Sequence, residues 1–186
     1  MSRLAGNYTA GGLALQMNLA LTKTFKQVPE YLKLLSEATS VKEEDTAYYQ
    51  MYCFWTGEAH LGSKDGVVAT EPGWLGGAEV VKVTFDESTI SKKDLDNYAK
   101  SAKCQPVKGN SKYRTDKDPQ YYLKNSPYKY LPLSEIQKSR INSALGQRAD
   151  ATVYLSPTQK KLLNSNKSKK VLYDLPIEEA WSMAME

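Results

Sequence analysis

The chain has few of the residues that build metal centres and disulfide frameworks. Its 186 residues contain two cysteines, Cys53 and Cys104, and one histidine, His60. A structural zinc site draws about four Cys or His ligands, so a Cys/His-rich site is excluded, as is a miniprotein stapled by disulfides. Any Ser-His-Asp machinery would depend on His60 alone. No charge of one sign dominates: Lys+Arg is 25 and Asp+Glu is 21, for a net +4. The positive residues are scattered, whereas nucleic-acid binding needs a concentrated basic face. Long hydrophobic runs are missing too. The most apolar stretch near the start, residues 11–21, is short and holds Gln16 and Asn18, so neither a membrane span nor a good signal peptide is expected. A cytoplasmic location follows as the expectation. Phenylalanine is scarce, at 3, but tyrosine is abundant, at 13. That many phenols suggests a polar-aromatic cleft, because each buried tyrosine needs a partner for its hydroxyl. With 41% hydrophobic residues, the chain can bury a core as one ordinary domain with extensions.

Apolar residues recur at three- and four-residue steps over 10–38, predicting helix, with a break near Gln27–Val28 and Pro29 in the first turn of a second helix. Residues 40–46 form a polar linker. Residues 47–52 read as a strand, 53–62 as a short helix ending at Gly62, and 67–70 as a second short strand. Pro72, Gly73, Gly76 and Gly77 mark a loop. Residues 80–85 (V-V-K-V-T-F) are the clearest strand. Ser91 caps a helix over 92–102, with Asp94 three residues on. Residues 105–127 hold no periodic run and read as a long loop. Residues 128–133 supply a last strand. Ser134 caps a helix over 135–145, and another short helix covers 157–164. Residues 164–170 are a solvated linker and 171–186 a docked helix or arm. The expected fold is α+β, a split β-α-β-β-α-β sandwich with added N- and C-terminal helices. Its parts are an N-terminal helical extension (1–46), a main domain (47–164), and a linker with a C-terminal tail (165–186).

Cys53 falls where the first strand runs into the next helix. A thiol at a helix N-terminus meets unpaired N–H groups whose partial positive charge favours the thiolate. Buried, inert cysteine is the competing reading. Phe54 and Trp55 follow at once, and an aromatic pair beside such a cysteine makes an apolar cage next to a nucleophile.

C-F-W-T-G-E-A, from Cys53 to Ala59, resembles the active-site pattern G-C-F-W-G-x-E of peptide methionine sulfoxide reductase A (MsrA). Three further blocks follow in order. Gly66 to Gly77 resembles G-V-x-x-T-x-x-G-Y-x-G-G. Ala78 to Asp86 resembles H-A-E-x-V-x-V-x-Y-D, and Ile90 to Leu95 resembles I-S-Y-E-E-L. The resemblance covers roughly residues 47–100. It implies the MsrA-like, ferredoxin-like form of the split sandwich and a thiol-dependent reduction of methionine-S-sulfoxide, free or in peptides. The cysteine thiolate attacks the sulfoxide sulfur and ends as a sulfenic acid, which a thiol then reduces. Cys53 matches the nucleophile, Phe54 and Trp55 the methyl cage, and Glu79 the catalytic acid. An acid working near neutral pH needs an apolar setting. Glu58 matches the signature glutamate and is read as structural; His60 matches no family role and reads as a surface residue.

The chain departs from the pattern at several points. Trp74 replaces a tyrosine whose phenol would bond the sulfoxide oxygen. Tyr52 replaces the glycine before the cysteine, where it would crowd the approach. A segment between the glycine loop and the strand carrying Glu79 is missing. The later signature, N-D-x-G-T-Q-Y-R-S, is broken, and two registers compete for it. One uses Asp118-Pro119-Gln120-Tyr121 for its D…Q-Y, with residues deleted between. The other uses Tyr128, which fits the following helix better and makes Tyr128 the first choice for a catalytic phenol. Tyr121 and Asp118 are alternatives. No cofactor is implied beyond an external thiol reductant, thioredoxin-like or glutathione. Cys104 is a candidate resolving thiol at the head of the long loop, or a packed helix-end residue. The chain is expected to act as a monomer. The competing functions are an MsrA-like fold used as a binding or redox-sensing module, and a different thiol enzyme on the same scaffold.

Overall fold

A computed structural model of the chain describes residues 9–24, 26–40, 43–109, 112–165 and 170–185. Parts of two expected linkers, residues 41–42 and 166–169, lie outside the described residues. Helix α1 (Ala10–Lys23) starts at Thr9, whose hydroxyl accepts from Gly12 N, and α2 (Glu30–Ser40) starts directly after Pro29. The helical pattern over 10–38 therefore divides at the expected place. Strand β1 (Glu44–Gln50) is followed by α3 (Phe54–Leu61), β2 (Val67–Leu75), β3 (Ala78–Asp86) and α4 (Lys92–Ser101). Ser91 caps α4 by accepting from Asp94 N.

The five strands form one antiparallel sheet of order β4-β1-β3-β2-β5, where β4 is Gln105–Val107 and β5 is Arg114–Thr115. One face is apolar. Ala47 and Tyr49 of β1, Val67 of β2, and Val81, Val83 and Phe85 of β3 pack there with Phe54, Leu61, Leu95 and Ala99. The register is fixed by this face, since a one-residue slip would turn Val81 and Val83 out to the other side. Tyr49 Oη donates to Asp96 Oδ1 at 2.8 Å and Tyr98 Oη donates to His60 O at 2.9 Å, which ties α4 to β1 and to α3.

Three expectations about elements are corrected. Residues 72–77 are not a loop. β2 continues to Leu75 and meets β3 through the two-residue turn Gly76-Gly77, both with positive φ (60° and 86°). Pro72 is tolerated in the strand because its carbonyl points to the β5 side, accepting from Asp116 N at 2.8 Å. Its ring nitrogen points the same way, so no bond to β3 is lost. Residues 128–133 are not the last strand. Pro127–Tyr130 is a 3-10 turn capped by Ser126. The sheet position is taken by β4, inside the segment expected to be all loop, because Tyr48, Tyr49 and Gln50 offer β1's free edge to Val107, Pro106 and Gln105. That same segment also holds β5 and the short helix α5 (Tyr121–Lys124).

The C-terminal half packs on the sheet through α6 (Glu135–Gly146), begun by a full capping box of Ser134 and Gln137. It builds a second cluster from Leu123, Leu131, Leu133, Ile141 and Leu155. Arg140 of α6 is buried at 3% exposure. It donates to Gly62 O and Val67 O and pairs with Glu37 of α2 at 2.9 Å. Helices α7 (Pro157–Ser165) and α8 (Ile177–Met185) complete the chain. Among the described residues no helix is long and apolar enough to cross a membrane.

Candidate active site

Cys53 is the N-cap of α3, in extended backbone (φ −138°, ψ 111°), and its side chain makes no capping bond. The helix begins with Gly57 N donating to Cys53 O at 3.0 Å. The orphan donor at the first helical position is satisfied from outside the helix: Phe54 N donates to Glu79 Oε2 at 2.8 Å. Glu79 thus caps α3 from the neighbouring strand, one residue from the thiol. Its position is set by the sheet, since Glu79 pairs with Trp74 across the hairpin and Glu79 O accepts from Met51 N at 3.3 Å. The second carboxyl oxygen, Oε1, makes no hydrogen bond among the described residues.

An aromatic chain runs beside this pair. The Phe54 ring lies 5.3 Å from Trp74, nearly perpendicular, and 5.6 Å from Trp55. Trp55 stacks on Tyr121 at 4.1 Å with 16° between the planes. Phe54 is 5% exposed and belongs to the core, so it supports the group from below, while Trp55, Trp74 and Tyr121 are half-buried. Trp74 Nε1 donates to Asp116 Oδ2 at 3.1 Å, so the indole that stands where a phenol was expected has its one donor engaged. Trp55 Nε1 is buried and has no acceptor among the described residues, a polar atom left for a ligand or a water.

Tyr121 reaches Trp55 because its loop is tied to α3. Glu58 is fully buried, accepts from Gln120 N at 3.4 Å, and lies 3.5 Å from Thr70 Oγ1. Burial pushes its carboxyl up to about 8, against the backbone and hydroxyl donors that pull it down. Gln120 adopts φ 54° and donates through Nε2 to Thr70 O. Glu58 therefore holds the loop that presents Tyr121, in keeping with a structural role. Tyr128, the first choice from the sequence, lies in the 3-10 turn and packs against the second core cluster, where burial raises its phenol. Asp118 pairs with Lys124 at 2.6 Å, which holds its carboxyl below the usual range.

Tyr52 does not crowd the thiol: it is 97% exposed and points into solvent. Cys53 lines a cavity of about 220 Å³ together with Met51, Tyr52, His60, Lys103 and Cys104. Cys104 does not open a loop, as expected, but leads into β4 and is 1% exposed. Among the described residues no three His, Cys, Asp or Glu side chains are placed to hold a metal ion.

No family model matches the chain. It is similar to a peptide methionine sulfoxide reductase. That protein, MsrA of Methanococcus maripaludis, is 35% identical over 68 residues, covering 27% of this chain and 43% of the relative. The match thus spans less than half of the relative's length. Asp116 is the site residue that the sequence pattern N-D-x-G-T-Q-Y could have located. It stands five residues before Tyr121, as the aspartate of the pattern stands before its tyrosine. The register with Tyr121 therefore needs no deletion once Asp116, rather than Asp118, is aligned.

Proposed function

We propose that this chain reduces methionine-S-sulfoxide, free or in peptides, to methionine, using Cys53 as the nucleophile and an outside thiol as the reductant. The observation that carries the reading is the bond from Phe54 N to Glu79 Oε2, which puts a carboxyl next to a helix-capping cysteine. The partial MsrA similarity and the sheet order β4-β1-β3-β2, read here as the split MsrA-like sandwich, support it. In the proposed step the Cys53 thiolate attacks the sulfoxide sulfur. The S–O bond of the substrate breaks, and oxygen and a proton finish on Cys53 as a sulfenic acid. The substrate sulfur is reduced by two electrons and the cysteine sulfur oxidised by two. Glu79, through its free oxygen, supplies the proton. Trp55 and Trp74, backed by Phe54, seat the S-methyl group, since aromatic edges favour sulfur. The phenol in reach of the seat is Tyr121 rather than Tyr128. Two equivalents of a thiol, glutathione or thioredoxin-like, return Cys53 to the thiol with release of water. The chain acts as a monomer in a reducing compartment, the cytoplasm.

Incubation with a methionine sulfoxide and dithiothreitol tests the reading, with methionine measured beside a Cys53→Ser control. Methionine formation that depends on Cys53 is the expected result. If wild type and control are equally inactive, the reading fails. The engaged Trp74 donor favours one alternative, a redox-sensing module that binds an apolar ligand at the aromatic group without reducing it.

A further inference from the structure

Helix α1 leaves most of its circumference open, and that surface is apolar. It packs on α2 through a single stripe: Ala14 is buried, Asn18 and Leu21 are half-buried, and Asn18 Nδ2 donates to Leu32 O at 3.4 Å. Leu13, Leu15, Met17 and Leu19 are each between 41% and 47% exposed. With about 3.6 residues per turn, Leu13 and Met17 form a ridge on one side of the α2-facing stripe. Leu15 and Leu19 form a second ridge on the other side, about 200° away. Between the ridges, on the outer side, stand Gln16 and Ala20, both exposed. No residue from Ala10 to Thr22 is charged. Charge begins with Lys23, in the last turn of α1, and continues with Lys26. Both are exposed and neither pairs with a carboxylate among the described residues, whereas Lys33 of α2 pairs with Glu30 at 2.6 Å.

The distribution of these residues decides what can cover them. A helix that docks on a protein surface shows one apolar stripe, about 100° wide, and α1 spends that stripe on α2. The outer arc, with a ridge at each margin, is about twice as wide. A protein groove reaches one ridge and leaves the other in water, whereas a fluid hydrocarbon layer wets both. At 14 residues, α1 is about 21 Å long. That is short of the ~30 Å hydrocarbon core of a bilayer, so α1 lies along such a layer instead of crossing it. We infer that α1 is a membrane-surface helix whose two ridges enter the acyl region of an anionic phospholipid leaflet, while Lys23 and Lys26 bind headgroup phosphates at its C-terminal end. Helices of this kind sink about 5–10 Å into the boundary between headgroups and acyl chains. The lysine stems lie along apolar surface and carry their ammonium groups up to the polar layer. The Arg140–Glu37 pair joins α2 to α6, so a docked α1 holds the Cys53 site at the membrane surface.

The test floats the full chain with vesicles of phosphatidylcholine alone and of phosphatidylcholine mixed with phosphatidylglycerol. Wild type is expected to rise with the mixed vesicles and to bind the neutral ones at least about tenfold more weakly, at about fivefold for each of the two lysines. Two double variants address the ridges separately: Leu13→Asp with Met17→Asp, and Leu15→Asp with Leu19→Asp. All four side chains are exposed, so both variants should keep the wild-type circular dichroism. Each should lower partition into the mixed vesicles at least about tenfold, since binding scales with buried apolar area. Lys23→Glu with Lys26→Glu should bring mixed-vesicle binding down to the neutral-vesicle value. Wild type that stays unbound with both vesicle types overturns the inference, and this result needs no variant to fold. Wild-type partition in either ridge variant overturns it too, because a layer of lipid must wet both ridges. Sedimentation of the free protein supplies the last arm: a dimer that one ridge variant dissociates would assign the surface to a second copy of the chain instead. Flotation involves no sulfoxide, so the inference stands or falls apart from the proposed function.

Discussion

Glu79 is held by one carboxyl oxygen, while the other makes no hydrogen bond among the described residues, and this division makes its two roles separable. Glu79→Gln keeps an acceptor for Phe54 N but loses the acid, so the fold should persist while sulfoxide reduction slows by more than about tenfold. Glu79→Ala loses the cap as well and should cost about 1 kcal/mol in addition, read by denaturant titration. Unchanged turnover in Glu79→Gln would remove it from the chemistry. Glu58 gives a different prediction. Its carboxyl titrates near 4.5 when unfolded and is raised to about 8 when folded, so between those values the folded state binds more protons than the unfolded one. Stability from this group is present in full below pH 4.5 and is lost as pH rises to about 8, a change on the order of a few kcal/mol. Glu58→Gln should flatten the stability curve across that window, and an equally steep decline in the variant would show that other groups cause it.

At the scale of elements, the site depends on a close approach between two strands. A Cβ at Gly73 would lie 2.5 Å from Arg114 O and 2.6 Å from the Tyr113 ring, so β5 can pair with β2 only over a glycine. That pairing leads into the loop carrying Asp116, Gln120 and Tyr121. Gly73→Ala is therefore expected to displace the loop and lower activity through weaker substrate binding, a rise in KM greater than the fall in kcat. Wild-type kinetics in Gly73→Ala would show that the loop does not need β5. The two edge strands show why part of the fold was hard to read. β4 and β5 have three and two residues, too few for a period-2 pattern to stand out. Tyr128 to Leu133 has the composition of a strand, yet Ser126-Pro127 starts a 3-10 turn there and the following leucines turn into the second core.

At the scale of the whole molecule, Arg140 ties together α2, α3, β2 and α6 through Glu37, Gly62 and Val67. Desolvation raises the Glu37 carboxyl, and the guanidinium works against that shift. Arg140→Ala would leave Glu37 half-buried without its cation and two carbonyls without donors, a loss of about 3–5 kcal/mol. The midpoint of thermal unfolding should fall clearly. The double variant Arg140→Met with Glu37→Met should recover much of that loss, because the residual charge is gone. If the single variant unfolds like wild type, the N-terminal helices are not held through this pair.

Local chemistry alone determined the parts of this protein that lie within a few residues of their causes. Ser91 and Ser134 cap α4 and α6, the β3 run of valines forms the central strand, and Cys53 falls at a helix start. The resemblance of C-F-W and A-E-V-V to family blocks is what groups Cys53, Glu79 and the aromatic residues as one expected site, and the structure bonds Phe54 N to Glu79 Oε2. Tertiary structure decided which phenol stands by the site, which segment closes the sheet, and that His60 and Cys104 share a cavity with the nucleophile. Each of these outcomes rests on contacts between segments far apart in the chain: Trp55 with Tyr121, Gln50 with Gln105, Glu58 with Gln120. Such contacts form only where burial and hydrogen bonding across the whole fold outweigh local preference, and a short stretch of sequence carries no record of that balance.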